Sequence, residues 1–200
     1  FAGDPRAALV DALFPVGGAN EAQRGAALHA CASAFTIVSG GPGTGKTSTV
    51  VKMLALLADA AIRGHEKPPT VRLMAPTGKA AARLTESIRG ALESLALDPE
   101  VHDAITTSAS TIHRALEVHP NGGFRRDRDR PMDADVVIVD EASMVDLALM
   151  RALVDAVPPG ARLVLLGDRD QLASVEAGSV LSDLCVAAQT KGSPLEGSLR

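Results

Sequence analysis

Aromatic side chains are nearly absent from this chain of 200 residues, which contains four phenylalanines and neither tryptophan nor tyrosine. Proteins that bind single-stranded nucleic acid commonly stack the bases on aromatic rings, and this sequence has almost none to offer. Any contact that the chain makes with a nucleic acid should therefore be mainly to phosphates and indifferent to base sequence.

Cysteine is also scarce, because the two cysteines, Cys31 and Cys185, lie far apart and match no spacing of a metal site. We expect both to be thiols in a reducing compartment, which predicts a cytoplasmic location. The sequence has no secretory signal and no apolar run of about 18 residues, so no contact with a membrane is expected. The net charge of −4 gives no overall basic field, so a nucleic-acid site would have to be local.

What the chain does have is a glycine-rich loop, GGPGTGKT at residues 40–47, which fits the phosphate-binding pattern G-x-x-x-x-G-K-[ST] without a mismatch. An apolar run before it predicts a buried strand, and an apolar periodicity after it predicts a helix. Glycines let successive backbone N–H groups surround an anion, and the helix adds the positive end of its dipole. Lys46 suits the β- and γ-phosphates, and the Thr47 hydroxyl suits Mg²⁺. The chain is therefore predicted to bind a nucleoside triphosphate. The residues predicted to hold the nucleotide are Gly41, Pro42, Gly43, Thr44, Gly45, Lys46, Thr47 and Ser48.

Strand and helix patterns alternate along the chain, which predicts an α/β fold with a parallel sheet and helices on both faces. The strand candidates are residues 35–39, 71–75, 135–139 and 163–166. The helix candidates are residues 21–33, 45–62, 78–95, 110–116, 147–156 and 178–187. Residues 120–131 show no clear period and are expected to be an exposed excursion, with a small hairpin around residues 121 and 122.

Two acids, Asp140 and Glu141, directly follow the third strand candidate. Asp140 is expected to bind Mg²⁺ through water, and Glu141 to orient and deprotonate the water that attacks the γ-phosphate. A strand followed by a glycine turn and polar residues recurs at 163–172, where Gln171 is a candidate sensor of the γ-phosphate and Asp168 a candidate to orient a neighbour. The predicted catalytic residues are Lys46, Asp140, Glu141 and Gln171, and the predicted metal ligands are Thr47 and Asp140.

Four strings together resemble the RecD-like superfamily 1 DNA helicases: GGPGTGKT at 40–47, APTGKAAARLTES at 75–87, IVDEASMVD at 138–146 and LLGDRDQLASVEAGSVLSDL at 165–184. The resemblance implies the first RecA-like motor domain of an enzyme that couples ATP hydrolysis to translocation on single-stranded DNA and duplex unwinding, in DNA repair and recombination. That domain would span residues 20–190, after an N-terminal segment at 1–19 and before a linker or loop at 191–200 toward a second motor domain.

The resemblance also implies roles that spacing does not supply. Gln23 matches the glutamine that recognises the adenine edge, which suits an amide with both donors and an acceptor. The residues that match DNA-facing motifs of the family are Thr77, Gly78, Lys79, Thr111 and His113. The implied cofactors are ATP and Mg²⁺, and the implied partners are single-stranded DNA and other subunits of a RecBCD-type complex. In this family an arginine from the second motor domain completes the active site, and no residue here matches it, so hydrolysis by this chain alone is expected to be slow.

Other interpretations stay open at the level of sequence. The chain suits a phosphate-loop ATPase that moves a partner protein, or a nucleotide-binding module that is inactive in isolation. Gln23 and Lys79 also suit solvated helix faces, and His113 suits a structural role. We expect the arginine-rich run at 124–130 to be a solvated, internally paired loop rather than a grip on DNA phosphates.

Overall fold

The structure is a computed structural model that describes residues 5–15, 20–41, 43–168 and 180–190. Within these ranges, five parallel strands form one sheet in the spatial order β1-β5-β4-β2-β3. The strands are β1 (Phe35–Ser39), β2 (Val71–Ala75), β3 (Ala109–Thr111), β4 (Val136–Val139) and β5 (Arg162–Gly167). The last strand in the chain, β5, thus lies between β1 and β4, and all five strands end at the same edge of the sheet.

Helices cover both faces of this sheet, as the alternating pattern predicts. On one face, α1 to α5 pack on a core that includes Val51, Leu54 and Ile88, and on the other face α6 to α8 pack around Ile112 and Leu153. The helices are α1 (Pro5–Leu13), α2 (Asn20–Ala32), α3 (Lys46–Arg63), α4 (Gly78–Glu93), α5 (Pro99–Ala104), α6 (Ile112–Ala115), α7 (Leu147–Ala156) and α8 (Val180–Thr190). A short 3-10 helix, Ala142–Met144, follows β4.

Strand β4 is apolar throughout and is buried on both faces. All four of its side chains are 0 % exposed. Val136 and Ile138 belong to the core on one face, and Val137 and Val139 belong to the core on the other. A strand with helices on both faces needs an apolar residue at every position, so the expectation of a doubly covered parallel sheet is confirmed.

The predicted strands and most of the predicted helices agree with the structure to within one to three residues at each end. One prediction is wrong in part, because the expected helix at 110–116 begins as a strand. Ser110 and Thr111 belong to β3, where Ser110 pairs with Met74 of β2. The side chain of Thr111 then accepts a hydrogen bond from Arg114 N at 3.2 Å and caps the short helix α6. A three-residue strand is too short to show an alternating pattern, so pairing with β2 rather than local propensity decides its conformation.

The excursion after α6 forms the small hairpin that the sequence predicts. Val118 pairs with Phe124 in an antiparallel bridge, and Gly122 N donates to His119 O at 3.0 Å. In the arginine-rich run that follows, three of the four arginines form ion pairs with acids, but only Arg130 pairs within the run, so the expected internal pairing holds in part. The pairs are Arg126–Glu117 at 2.6 Å, Arg128–Asp155 at 2.8 Å and Arg130–Asp127 at 4.0 Å.

The two cysteines form no disulfide, and each is half-buried. Burial raises the pKa of the Cys31 thiol to about 11, and the positive charge of Arg162 offsets part of this effect. Cys31 is therefore a neutral thiol that packs against the core rather than a reactive thiolate. None of the described helices is both long enough and apolar enough to cross a membrane.

Two buried threonines differ in what their hydroxyls contact. Thr36 in β1 is 5 % exposed, and its Oγ1 is the one buried side-chain oxygen or nitrogen in the described residues that has no hydrogen-bond partner. Thr49 in α3 is 2 % exposed, and its Oγ1 donates to Gly45 O at 2.9 Å. Burial of a hydroxyl without a partner is unfavourable by about 1–3 kcal/mol, whereas burial of a bonded hydroxyl is close to balanced.

We therefore expect Thr36→Val to raise the free energy of unfolding by about 1 kcal/mol, because it removes an unsatisfied hydroxyl at little change in shape. The matched change Thr49→Val removes a satisfied hydroxyl and one of the two donors to Gly45 O, which keeps its bond from Thr49 N at 2.9 Å. It should therefore lower the same free energy, by up to about 1 kcal/mol. Urea unfolding followed by circular dichroism measures both changes. A loss of stability in Thr36→Val as large as that in Thr49→Val would show that the Thr36 hydroxyl is not an unsatisfied group.

Candidate nucleotide-binding site

The predicted nucleotide residues meet where three neighbouring strands end. The glycine-rich loop follows β1, Asp168 follows β5, and Asp140 and Glu141 follow β4. The backbone ties these ends together, because Gly40 N donates to Gly167 O at 3.1 Å. A cleft of about 560 Å³ lies over them, which is the size of pocket that takes a nucleotide-sized ligand.

Two glycines give the loop its path. Gly43 has a φ of 77° and Gly45 a φ of 83°, values in the left-handed region that side chains disfavour. The loop is closed on itself by Thr44, whose Oγ1 donates to Gly41 O at 2.9 Å. Gly45 precedes the first residue of the 18-residue helix α3 and supplies no side-chain cap, so N–H groups of the first turn face the cleft. This is the arrangement that binds anions at a helix N-terminus.

Lys46 lies across the loop rather than out in solvent. Its Nζ donates to Gly40 O, and also to Gly41 O at 2.9 Å. These two carbonyls hold the ammonium group at the mouth of the loop, beside the N-terminus of α3. A phosphate chain in the cleft would therefore meet a positive charge and a set of backbone donors together.

The two acids after β4 are held differently from each other. Burial raises the pKa of Asp140, and a hydrogen bond from Glu141 N at 2.9 Å and the charge of Lys46 offset part of that effect. Glu141 has a φ of 51°, which is strained for a residue with a side chain. This conformation turns the chain sharply at the strand end, so that Glu141 lines the cleft beside Asp140.

The oxygen donors in the cleft suit magnesium. The hydroxyl of Thr47 and the carboxylate of Asp140 both line it. Magnesium in phosphate-transfer sites is held by one or two protein oxygens, by water and by the substrate phosphates rather than by a protein cage. In agreement with that chemistry, no group of three or more histidine, cysteine or acidic side chains that could hold a metal occurs in the described part of the chain.

Two parts of the cleft were not expected from the sequence. Ser143 of the 3-10 helix and one face of α4 also line it. The residues of α4 are Ser87, Gly90 and Ala91. Small residues at this i, i+3, i+4 spacing, beside the core stripe of Leu84 and Ile88, are the signal that marks them.

The candidate DNA residues lie at the same edge of the sheet but on the other side of β4. Thr77, Gly78 and Lys79 follow β2 and are exposed, and Thr111 ends the neighbouring strand β3. His113 is exposed too, with its ring 5.8 Å from that of Phe124. The structure therefore brings the two predicted DNA-facing segments together, because Ala75 and Thr111 are register partners.

Gln23 lies in α2 against the glycine-rich loop, and its Nε2 donates to Thr44 O at 3.1 Å. Gln23 therefore lies beside the nucleotide-binding loop, although α2 precedes β1 in the chain. Pro42 and Gln171 lie outside the described residues.

Comparison with known proteins assigns the chain to a family. Residues 23–177 match the model of the AAA domain. The chain belongs to this family. It is also 47 % identical over 188 residues to the RecBCD enzyme subunit RecD of Mycobacterium tuberculosis, covering 94 % of this chain and 32 % of that protein. To the ATP-dependent RecD2 DNA helicase of Deinococcus radiodurans it is 46 % identical over 156 residues, covering 78 % of this chain and 18 % of that protein.

The fold of this AAA domain has counterparts among solved structures. The crystal structure of Pif1 helicase from Candida albicans matches with a TM-score of 0.51 and 22 % identity, covering 77 % of this chain and 33 % of that one. The relatives confirm the resemblance to RecD-like proteins, and membership of the AAA family implies that the cleft binds a nucleotide. The chain spans about a third of the length of the RecD subunit that it resembles.

Gly167 lets the strand ends of this AAA domain approach each other. A Cβ at this position would lie 2.5 Å from Leu181 Cδ2 and 3.3 Å from Ser143 N. Leu181 can move, but Ser143 N is backbone in the segment that carries Glu141. The absence of a side chain at Gly167 therefore sets how closely the 3-10 helix packs on β5.

We expect Gly167→Ala to lower the free energy of unfolding by about 1–3 kcal/mol through overpacking of this contact. The control is Gly25→Ala in α2, where an added Cβ meets nothing within 4 Å. That change should leave stability the same or raise it by about 0.5–1 kcal/mol, because alanine favours a helix. Urea unfolding measures the free energy of unfolding of both variants. Equal values for the two would show that the contact at Gly167 is not tight.

Proposed function

We propose that this chain is the ATP-hydrolysing motor domain of a RecD-like DNA helicase, which couples hydrolysis to movement along single-stranded DNA. The observation that supports this most strongly is the meeting of Lys46, Asp140 and Glu141 in one cleft at the ends of β1 and β4. The RecD and RecD2 relatives give the proposal its substrate class.

The reaction proposed is in-line attack of water on the γ-phosphate of ATP. Backbone N–H groups of the loop and the ammonium of Lys46 stabilise the negative charge on the phosphates. Glu141 orients the attacking water and accepts its proton. Thr47 and Asp140 would hold Mg²⁺, which would supply positive charge to neutralise the phosphates. Gln171 is proposed to sense the γ-phosphate, and Gln23 to recognise adenine, so that ATP is favoured over other triphosphates.

DNA is proposed to lie across the ends of β2 and β3. The hydroxyls of Thr77 and Thr111 each accept a backbone N–H as helix caps, from Ala80 and Arg114. A hydroxyl that accepts still has its own proton to donate, so both remain able to bind a phosphate oxygen. Lys79 adds an exposed positive charge in the first turn of α4, and His113 lies beside Thr111. All of these are contacts to phosphate, which agrees with the lack of aromatic stacking surface.

The complete motor is proposed to need more than this domain. In the proposal, a second motor domain closes over the cleft and supplies the arginine that accelerates hydrolysis, and further subunits of a RecBCD-type complex bind the assembled protein. The relatives support this, because the RecD subunit that matches over 94 % of this chain is about three times as long.

For the nucleotide site, we expect Lys46→Ala to weaken binding of ATP with Mg²⁺ by at least about 10-fold, since it removes the one lysine at the loop. Glu141→Gln should keep ATP affinity but remove whatever hydrolysis the wild-type chain shows, because it lacks the base. Lys67→Ala, an exposed lysine after α3, is the matched control and should bind as the wild type does.

Isothermal titration calorimetry measures the affinities, and phosphate release with and without single-stranded DNA measures hydrolysis. Wild-type affinity in Lys46→Ala would overturn the nucleotide site. Hydrolysis that is fast and independent of DNA, in this chain and in the longer protein, would favour an ATPase switch that acts on another protein.

For the DNA side, we expect Lys79→Ala to weaken binding of a single-stranded oligonucleotide uniformly across base sequences. It should also reduce the slope of log affinity against log salt concentration by about one, since one phosphate contact is lost. Arg89→Ala, an exposed basic residue three turns along the same helix, is the control and should change neither quantity. Fluorescence anisotropy at several salt concentrations gives both values, and identical slopes for the two variants would place the DNA elsewhere.

A further inference from the structure

The contact between Gln23 and the glycine-rich loop has a consequence beyond adenine recognition. The atom of Gln23 that faces Thr44 O, at 3.1 Å, is Nε2. A carbonyl oxygen only accepts hydrogen bonds, so the amide nitrogen and not the amide oxygen must face it. The orientation of the Gln23 amide is therefore fixed by the loop itself.

The same contact fixes the direction of one peptide group in the loop. Thr44 O and Gly45 N belong to one planar trans peptide, in which the C=O and N–H point in opposite directions. Gln23 holds the carbonyl from the side of α2, so the Gly45 N–H points the other way. That N–H finds no acceptor among the described residues, and Gly45 lines the cleft.

Gly45 is shaped for this contact as well as for its turn. Besides its positive φ of 83°, a Cβ at Gly45 would lie 2.5 Å from Gln23 Nε2 and 3.3 Å from Gln23 Cδ. Any side chain there would displace the amide of Gln23. Gly45 of the loop and Gln23 of α2 are thus complementary in shape.

We propose that Gln23 is a positioning residue for the phosphate site: its amide holds the Thr44–Gly45 peptide so that the Gly45 N–H points at the phosphates of the bound nucleotide. This role rests on the proposed nucleotide site and is separate from reading the base. It predicts that Gln23 contributes to the binding of a phosphate chain that carries no base at all.

One amide can perform both roles at once. Gln23 has two N–H donors and an acceptor oxygen, and Thr44 O uses one donor. The second N–H and Oε1 are the donor and acceptor that N7 and the N6 amino group of adenine require. Guanine presents an acceptor at O6 instead, which opposes Oε1. A base that pulls the amide out of place would release the Thr44–Gly45 peptide, so base identity and phosphate binding are coupled through this residue.

The test measures the affinity of the chain for three probes, each with Mg²⁺: ATP, GTP and inorganic tripolyphosphate. In Gln23→Ala we expect the affinity for tripolyphosphate to fall by about 3- to 10-fold, the effect of one lost hydrogen bond, and the affinity for ATP to fall further. Gln23→Met, which keeps the length of the side chain but has no N–H, should behave in the same way. Glu21→Ala, an exposed change in the same helix, should bind all three probes as the wild type does.

The outcomes separate the inference from the function on which it rests. If both Gln23 variants bind tripolyphosphate like the wild type and lose affinity for ATP alone, Gln23 only reads the base and the positioning role is wrong. If both variants lose affinity and the nucleotide-free protein also loses its cooperative melting transition, the residue is structural and the inference is again wrong. If the wild type binds none of the probes, the proposed nucleotide site itself fails, and the positioning role fails with it.

Discussion

The pairing of β5 with both β1 and β4 is the constraint on which the site depends. It brings together three chain segments, at 40–47, at 140–141 and at Asp168, because the register aligns Ser39 with Gly167 and Val139 with Leu165. The loop, the acid pair and Asp168 then emerge side by side. The backbone bond from Gly40 to Gly167 continues this pairing past the end of β1, so the loop starts from a fixed point. A glycine at 167 allows the acid-bearing segment to pack against the same strand end.

The strand order also gives the edge of the sheet two halves. Nucleotide candidates lie at the ends of β1, β5 and β4, and DNA candidates at the ends of β2 and β3. One hydrogen bond between the two halves, from Asp140 N to Met74 O at 2.9 Å, extends the β4–β2 ladder to the magnesium candidate. A shift of Asp140 on hydrolysis would therefore be transmitted through this bond to β2, the strand that leads to Thr77. This bond is a direct physical connection between the two proposed sites.

How far the sequence predicts this molecule depends on whether the deciding interaction is local. The loop, α3, α7 and four strands follow from composition and period, because apolar runs, glycines and caps act within a few residues. The strand β3 could not be predicted, since its three residues are extended only through pairing with β2. The α4 wall of the cleft was missed because small residues carry no chemistry of their own and gain a role only from the element opposite.

The site residues divide in the same way. Lys46 and Asp140 are recognisable because their neighbours in the chain make the anion nest and the strand tip. The backbone strain at Glu141 is not visible in the sequence, because a glutamate in the left-handed region is held there by the packing of the segment that follows. Nor does the sequence show that Gln23 contacts Thr44, which depends on the packing of α2 beside the loop.

The balance of charge in the cleft bears on what the lone domain can do. Among the described residues that line it, Lys46 is the one cation, whereas Asp140, Glu141 and Asp168 are acids. ATP adds roughly four negative charges, of which a magnesium ion neutralises about two. The acids needed to bind the metal and activate water thus leave the transferring phosphate with too little positive charge around it. During hydrolysis, further negative charge develops on the oxygens of this phosphate. A cation from outside the described cleft resolves this, and a group that arrives only when a second domain closes would make hydrolysis conditional on that closure. Under the proposed function, the single domain thus lacks part of the positive charge that stabilises the transferring phosphate, and hydrolysis would be slow until such a cation arrives.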